Sequence, residues 1–279
     1  MLGVIGGTGL YKMEALQSIQ KKLVETPFGK PSAEIVLGDY EGNKIAFLPR
    51  HGNHHELLPS EINYRANVWA LKSLGVKRIV SVSAVGSLQA EIRPGELAIP
   101  SQYVDWTSGR RASTFFGDGI VAHISSAEPT CSSLTQVILE SARALKIPIH
   151  SGKTYVCVEG PRLGTRAESF FLKNNGGHLV GMTNVPEVFL CREAQISYCT
   201  LAVVTDYDCW MEDPEQHVSV DKVMALYMKS IDTVQSLLKR VFVAKVDEDS
   251  PSSRRALEGA IVTHPIPESK MAMIRVLKS

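Results

Sequence analysis

The chain has 279 residues, 44% of them hydrophobic, enough to bury the core of one large α/β domain. Thirty Lys and Arg against 29 Asp and Glu leave a formal charge of +1, so no global field marks the chain for nucleic acid or an anionic membrane; a small-molecule partner is expected instead. No apolar run reaches the length of a membrane span and the opening MLGVIGGTGL has no basic leader, which predicts a cytoplasmic protein.

Strand-like and helix-like segments alternate along the chain, predicting a single α/β domain over residues 1–279 with a twisted, mixed but mainly parallel central sheet flanked by helices. The first strand is Leu2 to Gly6, and a hairpin from Ala33 to Pro49 turns at Glu41-Gly42-Asn43. Ser60 is placed to cap a helix that carries Ile62, Ala66 and Trp69 on one face and stops at Gly75, ahead of a strand from Arg78 to Val82. Gly95 to Val104 and Thr154 to Val158 read as strands on either side of a helix with Leu134, Val137, Ile138, Ala142 and Leu145 at helical spacing. A helix from about Arg166 ends at Gly176-Gly177. A strand, a helix and a strand reaching from Tyr198 to Asp206 follow, then a long helix from Ser219 to about Val243. The charged, Ser-rich stretch at about 247–256 reads as a flexible linker before an apolar tail, Met271 to Leu277, which must dock on its own subunit or a neighbour. Cys131, Cys157, Cys191, Cys199 and Cys209 show no CxxC and no zinc-like spacing, so free, mostly buried thiols are expected. No metal is expected either, because no carboxylate or thiolate completes the group of His51, His54 and His55.

In open α/β sheets ligands bind beyond the carboxyl ends of strands, so the loops after the predicted strands carry the functional argument. Gly6-Gly7-Thr8-Gly9 brings backbone amides and a hydroxyl close to an anion, but it is neither a complete dinucleotide fingerprint nor a Walker A loop; alone it is equally a tight turn. Arg50-His51 supplies a planar fork of donors and an imidazole. Ser83-Ala84-Val85-Gly86-Ser87 offers a hydroxyl and amides, or simply a helix-start turn. Arg162, Arg166 and Glu168, after Glu159-Gly160-Pro161, read as an ionic scaffold rather than a substrate clamp. Met182-Thr183 follows another strand, and Asp206 and Asp208 stand just past the next one; like charge and burial raise the pKa of such a carboxylate toward that of a proton donor.

The blocks GVIGGTGLY, TPFGKPS, RHG, SAVGSL with IRPGELAIP, EGPR with RAESF, MTNVPEVFLCREA and TDYDCW stand in this order between about Leu2 and Val223. Together they resemble the purine nucleoside phosphorylase family, in its 5'-methylthioadenosine phosphorylase branch. The resemblance implies that Thr8, Arg50, His51, Ser83, Ala84 and Thr183 bind phosphate and that Met182 lies against the ribose. It implies that Asp206 and Asp208 contact the purine and, with Ser83, form the catalytic set. Val220 and Val223 match positions lining an apolar 5' pocket. His123 matches a residue lent by an adjacent subunit of a homotrimer, and Leu277 a tail residue that does the same. Aspartate rather than asparagine at 206 points to adenine. The family pattern after EGPR has an aromatic and then a small hydroxyl residue where this chain has Leu163-Gly164, so stacking on the base is expected to weaken by ~1 kcal/mol; Ser83 stands where the family has threonine.

The implied reaction is phosphorolysis of 5'-methylthioadenosine to adenine and 5-methylthioribose 1-phosphate, with adenosine as a secondary substrate. Inorganic phosphate is the co-substrate, Asp206 assists the leaving purine, and no cofactor is needed. A 6-oxopurine preference, a nucleosidase using water, a dinucleotide-dependent dehydrogenase and a non-catalytic nucleoside sensor are the competing readings. The incomplete glycine fingerprint argues against the dehydrogenase, and the Thr8, Arg50 and His51 cradle argues against the nucleosidase.

Overall fold

The computed structural model describes residues 1–7, 10, 16–213, 216–246 and 251–279. Strand β1 (Leu2–Gly6), buried at every position, lies between β4 (Asn43–Pro49) and β5 (Arg78–Ser87) and runs parallel to both. Such burial on both faces explains why it reads as a continuous apolar run rather than an alternating one. The predicted hairpin forms from β3 (Ile35–Tyr40) and β4, and its turn residues Glu41 and Gly42 both take positive φ, at 49° and 79°, as a two-residue turn between twisted strands requires. An additional edge strand, β2 (Gln17–Lys22), pairs with β3; all of its residues are exposed, so no apolar pattern marked it, and Lys21 and Lys22 suit an edge that must not recruit another strand.

Helix α1 (Tyr64–Ser73) is capped by Asn63, whose Oδ1 accepts the Ala66 amide at 3.1 Å, and not by Ser60. A turn closed by the Ile62 amide on the Leu58 carbonyl, at 3.2 Å, delays the helix past the serine. Strand β5 also runs further than its sequence suggests. The small residues from Ser83 to Ser87 continue the strand instead of forming a loop, because β9 (Ser197–Asp206) pairs with them in parallel from Arg78↔Ser197 to Gly86↔Asp206.

Strands β6 (Leu97–Trp106), β7 (Ile149–Val158) and β8 (Leu179–Gly181) complete a nine-stranded sheet in the order β2-β3-β4-β1-β5-β8-β7-β6-β9, and the β5–β9 pairing closes its second half into a barrel-like ring. The long-range pairs β1·β4, β1·β5, β5·β9, β6·β7 and β7·β8 are parallel, and the antiparallel pairs lie at the hairpins and at the short closures β5·β8 and β6·β9. Around the sheet pack α2 (Ser132–Ala144), α3 (Arg166–Asn174), α4 (Asn184–Glu193) and the long α5 (Val220–Val243). All five cysteines are free and buried.

Of the expected linker, residues 247–250 lie outside those described, while α6 (Pro251–Arg254) is a helical turn tied to the core by Ser253 Oγ, 2.9 Å from Ser197 Oγ. The tail forms α7 (Glu268–Lys278), which docks on its own chain against α1 and buries Ile274 and Leu277. Leu277 is 0% exposed within this core. Of the two docking places left open for the tail, it occupies its own subunit.

Candidate active site

The ends of β4, β5, β8 and β9 bring most of the anticipated residues together. Arg50 follows β4 and is 2% exposed. Its Nε and Nη2 donate to the two carboxylate oxygens of Glu187, at 2.7 and 3.0 Å, while Nη1 donates to the Val82 carbonyl at 3.0 Å and Nη2 also to Ser81 Oγ at 2.6 Å. Burial by itself would make the guanidinium easier to deprotonate, but the Glu187 charge beside it more than offsets this and raises its pKa. Glu187 receives further hydrogen bonds from Ser81 and Tyr198, at 2.7 and 2.8 Å. The arginine is therefore held as half of a buried ion pair, with most of its donors engaged and its net charge largely cancelled.

The neighbouring residues of the cradle are neutral donors and acceptors. Ser83 Oγ lies 3.3 Å from Thr183 Oγ1, both side chains nearly buried, and the Thr183 amide faces the Tyr155 hydroxyl at 3.4 Å. Ala84 sits beside them on β5, half-buried. His51 Nδ1 lies 2.9 Å from the Leu57 carbonyl and its ring stacks on His55 at 4.2 Å. Burial first, with Arg50 and His55 adding to it, lowers the His51 pKa to about 4, so the ring is neutral near pH 7. A neutral ring facing a carbonyl must carry its proton on Nδ1, which leaves Nε2 as an acceptor. Thr8, the remaining anticipated phosphate ligand, lies outside the described residues.

The purine side is built from acids. Asp206, at the end of β9, accepts the Thr205 hydroxyl on Oδ2 and the Asp208 amide on Oδ1, both at 2.7 Å. Burial, with the nearby Asp208 charge adding to it, lifts its pKa to about 6 despite those two hydrogen bonds. Asp208 is raised as well, chiefly by burial, and its Oδ2 accepts the Ser169 hydroxyl from α3. Gly86 faces the pair, and a Cβ there would lie 2.8 Å from Asp206 Oδ1, so only glycine lets β5 pass this close to the acid. Because Gly86 is in register with Asp206, the three-residue step from Ser83 to Gly86 sets the cradle roughly 10 Å from the acids along the strand, room for a ribose between them.

Met182 is partly exposed and packs under Gly160, where any Cβ would meet its Sδ. Leu163 is partly buried, and the site of a side chain on Gly164 is 3.6 Å from both Asp208 carboxylate oxygens. Arg162 pairs with Glu168 at 2.6 Å while Glu168 closes a capping box with Thr165, which makes part of the expected scaffold; Arg166 lies instead over the Phe170 ring at 5.8 Å. Val223 is partly buried at the start of α5, but Val220 is 65% exposed. His123 is exposed on a loop whose backbone binds the Ala260 carbonyl, and among the described residues no hydrogen bond links its ring to the cradle or the acids.

Sequence reasoning missed Glu187, Ser169 and Gly86, and also Arg111. The Arg111 guanidinium donates to the carbonyls of Met182, Val185 and Glu159 at 2.7, 2.6 and 2.9 Å, fastening the segment after β8 that carries Met182 and Thr183 to Glu159 at the end of β7. No spacing signal marks a residue that works by touching carbonyls of distant segments. Among the described residues no group of three or more His, Cys, Asp or Glu is placed to hold a metal, and no helix is long and apolar enough to cross a membrane.

An oxyanion cradle of hydroxyls and one paired arginine, set a ribose's length from two protonatable carboxyls on a mixed α/β sheet, defines a nucleoside-cleaving type of site. Residues 1–242 match the family model described as the phosphorylase superfamily, and the chain belongs to that family. More narrowly, it is 48% identical over 264 residues to the S-methyl-5'-thioadenosine phosphorylase of Geobacter sulfurreducens, covering 94% of this chain and 92% of that one. A crystal structure of methylthioadenosine phosphorylase from an Antarctic soil metagenomic library superposes with a TM-score of 0.91 at 44% identity, covering 99% of this chain and 98% of that one. The methylthioadenosine phosphorylase of Schistosoma mansoni, in complex with adenine, gives 0.88 at 36% identity, covering 94% and 98%.

Proposed function

We propose that this chain cleaves 5'-methylthioadenosine by phosphorolysis, releasing adenine and 5-methylthioribose 1-phosphate. The observation that carries the reading is the register of β5 on β9, which sets the Ser83–Thr183 hydroxyl pair and the Asp206–Asp208 pair on one strip of sheet. Relatives named for this reaction support it along nearly the whole chain. Phosphate, held by Arg50, Ser83, Ala84, Thr183 and Thr8, with His51 Nε2 accepting the P–OH of the hydrogen phosphate, attacks the anomeric carbon. Asp206, half-protonated near pH 6, gives a proton or a strong hydrogen bond to N7 of the leaving adenine. Met182 packs against the ribose, and the 5' substituent rests against Val220 and Val223.

No cofactor is required, since phosphate is the nucleophile and the acid is protein-borne. The active assembly is a homotrimer in the cytoplasm, with His123 completing a neighbour's pocket. An exposed apolar face supports assembly: Trp106 and Phe171, 53% and 49% exposed, hold their rings 5.3 Å apart with Val104 on the same strand. The deciding assay measures adenine release from methylthioadenosine and adenosine, and hypoxanthine release from methylthioinosine, with and without phosphate. Strict dependence on phosphate with methylthioadenosine as the best substrate is expected. Release in phosphate-free buffer would make the chain a hydrolase, and faster cleavage of methylthioinosine would assign it to 6-oxopurines.

A further inference from the structure

Tyr227 stands one turn after Val223 on α5, and its ring is packed in the core cluster that contains Leu10, Val80 and Ile231. An apolar residue would fill that place. A buried hydroxyl needs a partner, and this one lies against Gly7, at the end of β1. The phenol oxygen is 3.3 Å from the position of a Cβ on Gly7. Gly7 follows directly on Gly6, whose carbonyl accepts the Arg50 amide at 3.0 Å, and the Arg50 guanidinium is close enough to act on the phenol electrostatically. The hydroxyl thus reaches the point where the glycine turn and Arg50 meet.

We propose that the Tyr227 hydroxyl is a further phosphate-binding group, donating to the oxyanion from the α5 side of the cradle. The proposal rests on the phosphorylase reading above, and the chemistry of the cradle supports it. Glu187 already cancels the Arg50 charge and His51 is neutral, so affinity for an anion must come from neutral donors, for which a phenol is well suited.

The test is Tyr227→Phe, which removes one oxygen and keeps the ring. The KM for phosphate is expected to rise about tenfold, within the range for a hydrogen bond to a charged group, while kcat and the KM for methylthioadenosine stay within about twofold. Tyr227→Leu, which keeps an apolar filling without the hydroxyl, must show at least the same loss. Calorimetric titration of inorganic phosphate into each protein should show the same ratio of affinities. An unchanged phosphate affinity in Tyr227→Phe, or a rise confined to the nucleoside KM, overturns the proposal. If wild type fails to release adenine with phosphate, the phosphorylase reading fails instead, and the calorimetric comparison still decides the role of Tyr227.

Discussion

The two halves of the site handle charge in opposite ways. At the phosphate side Arg50 and Glu187, 2% and 1% exposed, neutralise each other and exhaust most of their hydrogen bonds on Ser81, Tyr198 and the Val82 carbonyl. At the purine side Asp206 and Asp208 are buried together with only hydroxyls and amides for partners, and no cation pairs with them among the described residues. One region is a buried ionic frame, and the other holds a carboxyl whose pKa is lifted to about 6. On the proposed function, the anion would be held by geometry, and the proton would move where charge has been left uncompensated.

The largest expected effect falls on the acid side. Asp206→Asn cannot donate a titrating proton, and kcat/KM for methylthioadenosine should fall about 10²–10⁴-fold. Wild type at saturating phosphate should lose kcat/KM as pH rises above about 6, with the fall absent in the variant. A variant as fast as wild type would remove Asp206 from the chemistry.

The frame side breaks differently. Glu187→Gln leaves a buried guanidinium without its counter-charge, and a loss of about 3–5 kcal/mol in unfolding free energy is expected from urea titration. Added phosphate should then stabilise the variant more than wild type, because the ligand supplies the missing negative charge. Equal stabilisation of both proteins would mean that the bound anion does not sense Arg50.

Stability should reveal the same contrast with the sign reversed. A carboxyl raised from 3.8 to about 6 favours the fold fully only below the lower value, and its ionisation withdraws stability progressively until pH reaches about 6. Above that pH Asp206→Asn is expected to be more stable than wild type by roughly 1–3 kcal/mol, the upper figure corresponding to the whole shift. Melting temperatures compared at pH 5 and pH 8 measure it, and a gap that narrows at the higher pH contradicts the assignment.

The difference between the two regions also governs what the sequence discloses. Asp206, Asp208 and Arg50 could be singled out because each sits at or just past the end of an apolar strand, and Ser83 because it follows the apolar run Arg78 to Val82, although that strand continues to Ser87. The groups that tune them were invisible for a physical reason. Glu187 lies 137 positions from Arg50 and Ser169 lies 39 from Asp208, so each meets its partner only through the closed sheet. Gly86 looked like part of a turn, and its purpose emerges only from the register that brings Asp206 against it. The apolar tail around Leu277 recorded that it docks and not where; the contacts of α7 with α1 place it on its own chain. The exposed β2 carried no alternation to find.

The smallest effect makes the sharpest distinction. Ser169 is wholly buried on α3, and its hydroxyl donates to Asp208 Oδ2, which keeps that carboxyl oriented and partly opposes the rise in its pKa. Ser169→Ala removes one hydrogen bond to a carboxylate and leaves the Arg50–Glu187 frame untouched. About a tenfold increase in the KM for methylthioadenosine is expected, with kcat nearly constant and the phosphate KM unmoved. Asp208 would remain protonated to higher pH, so the nucleoside affinity should also become more sensitive to pH on the acid side. If the phosphate KM moved in step with the nucleoside KM, the two halves of the site would be mechanically coupled through α3, and their separation into a fixed frame and a titrating pair would have to be abandoned.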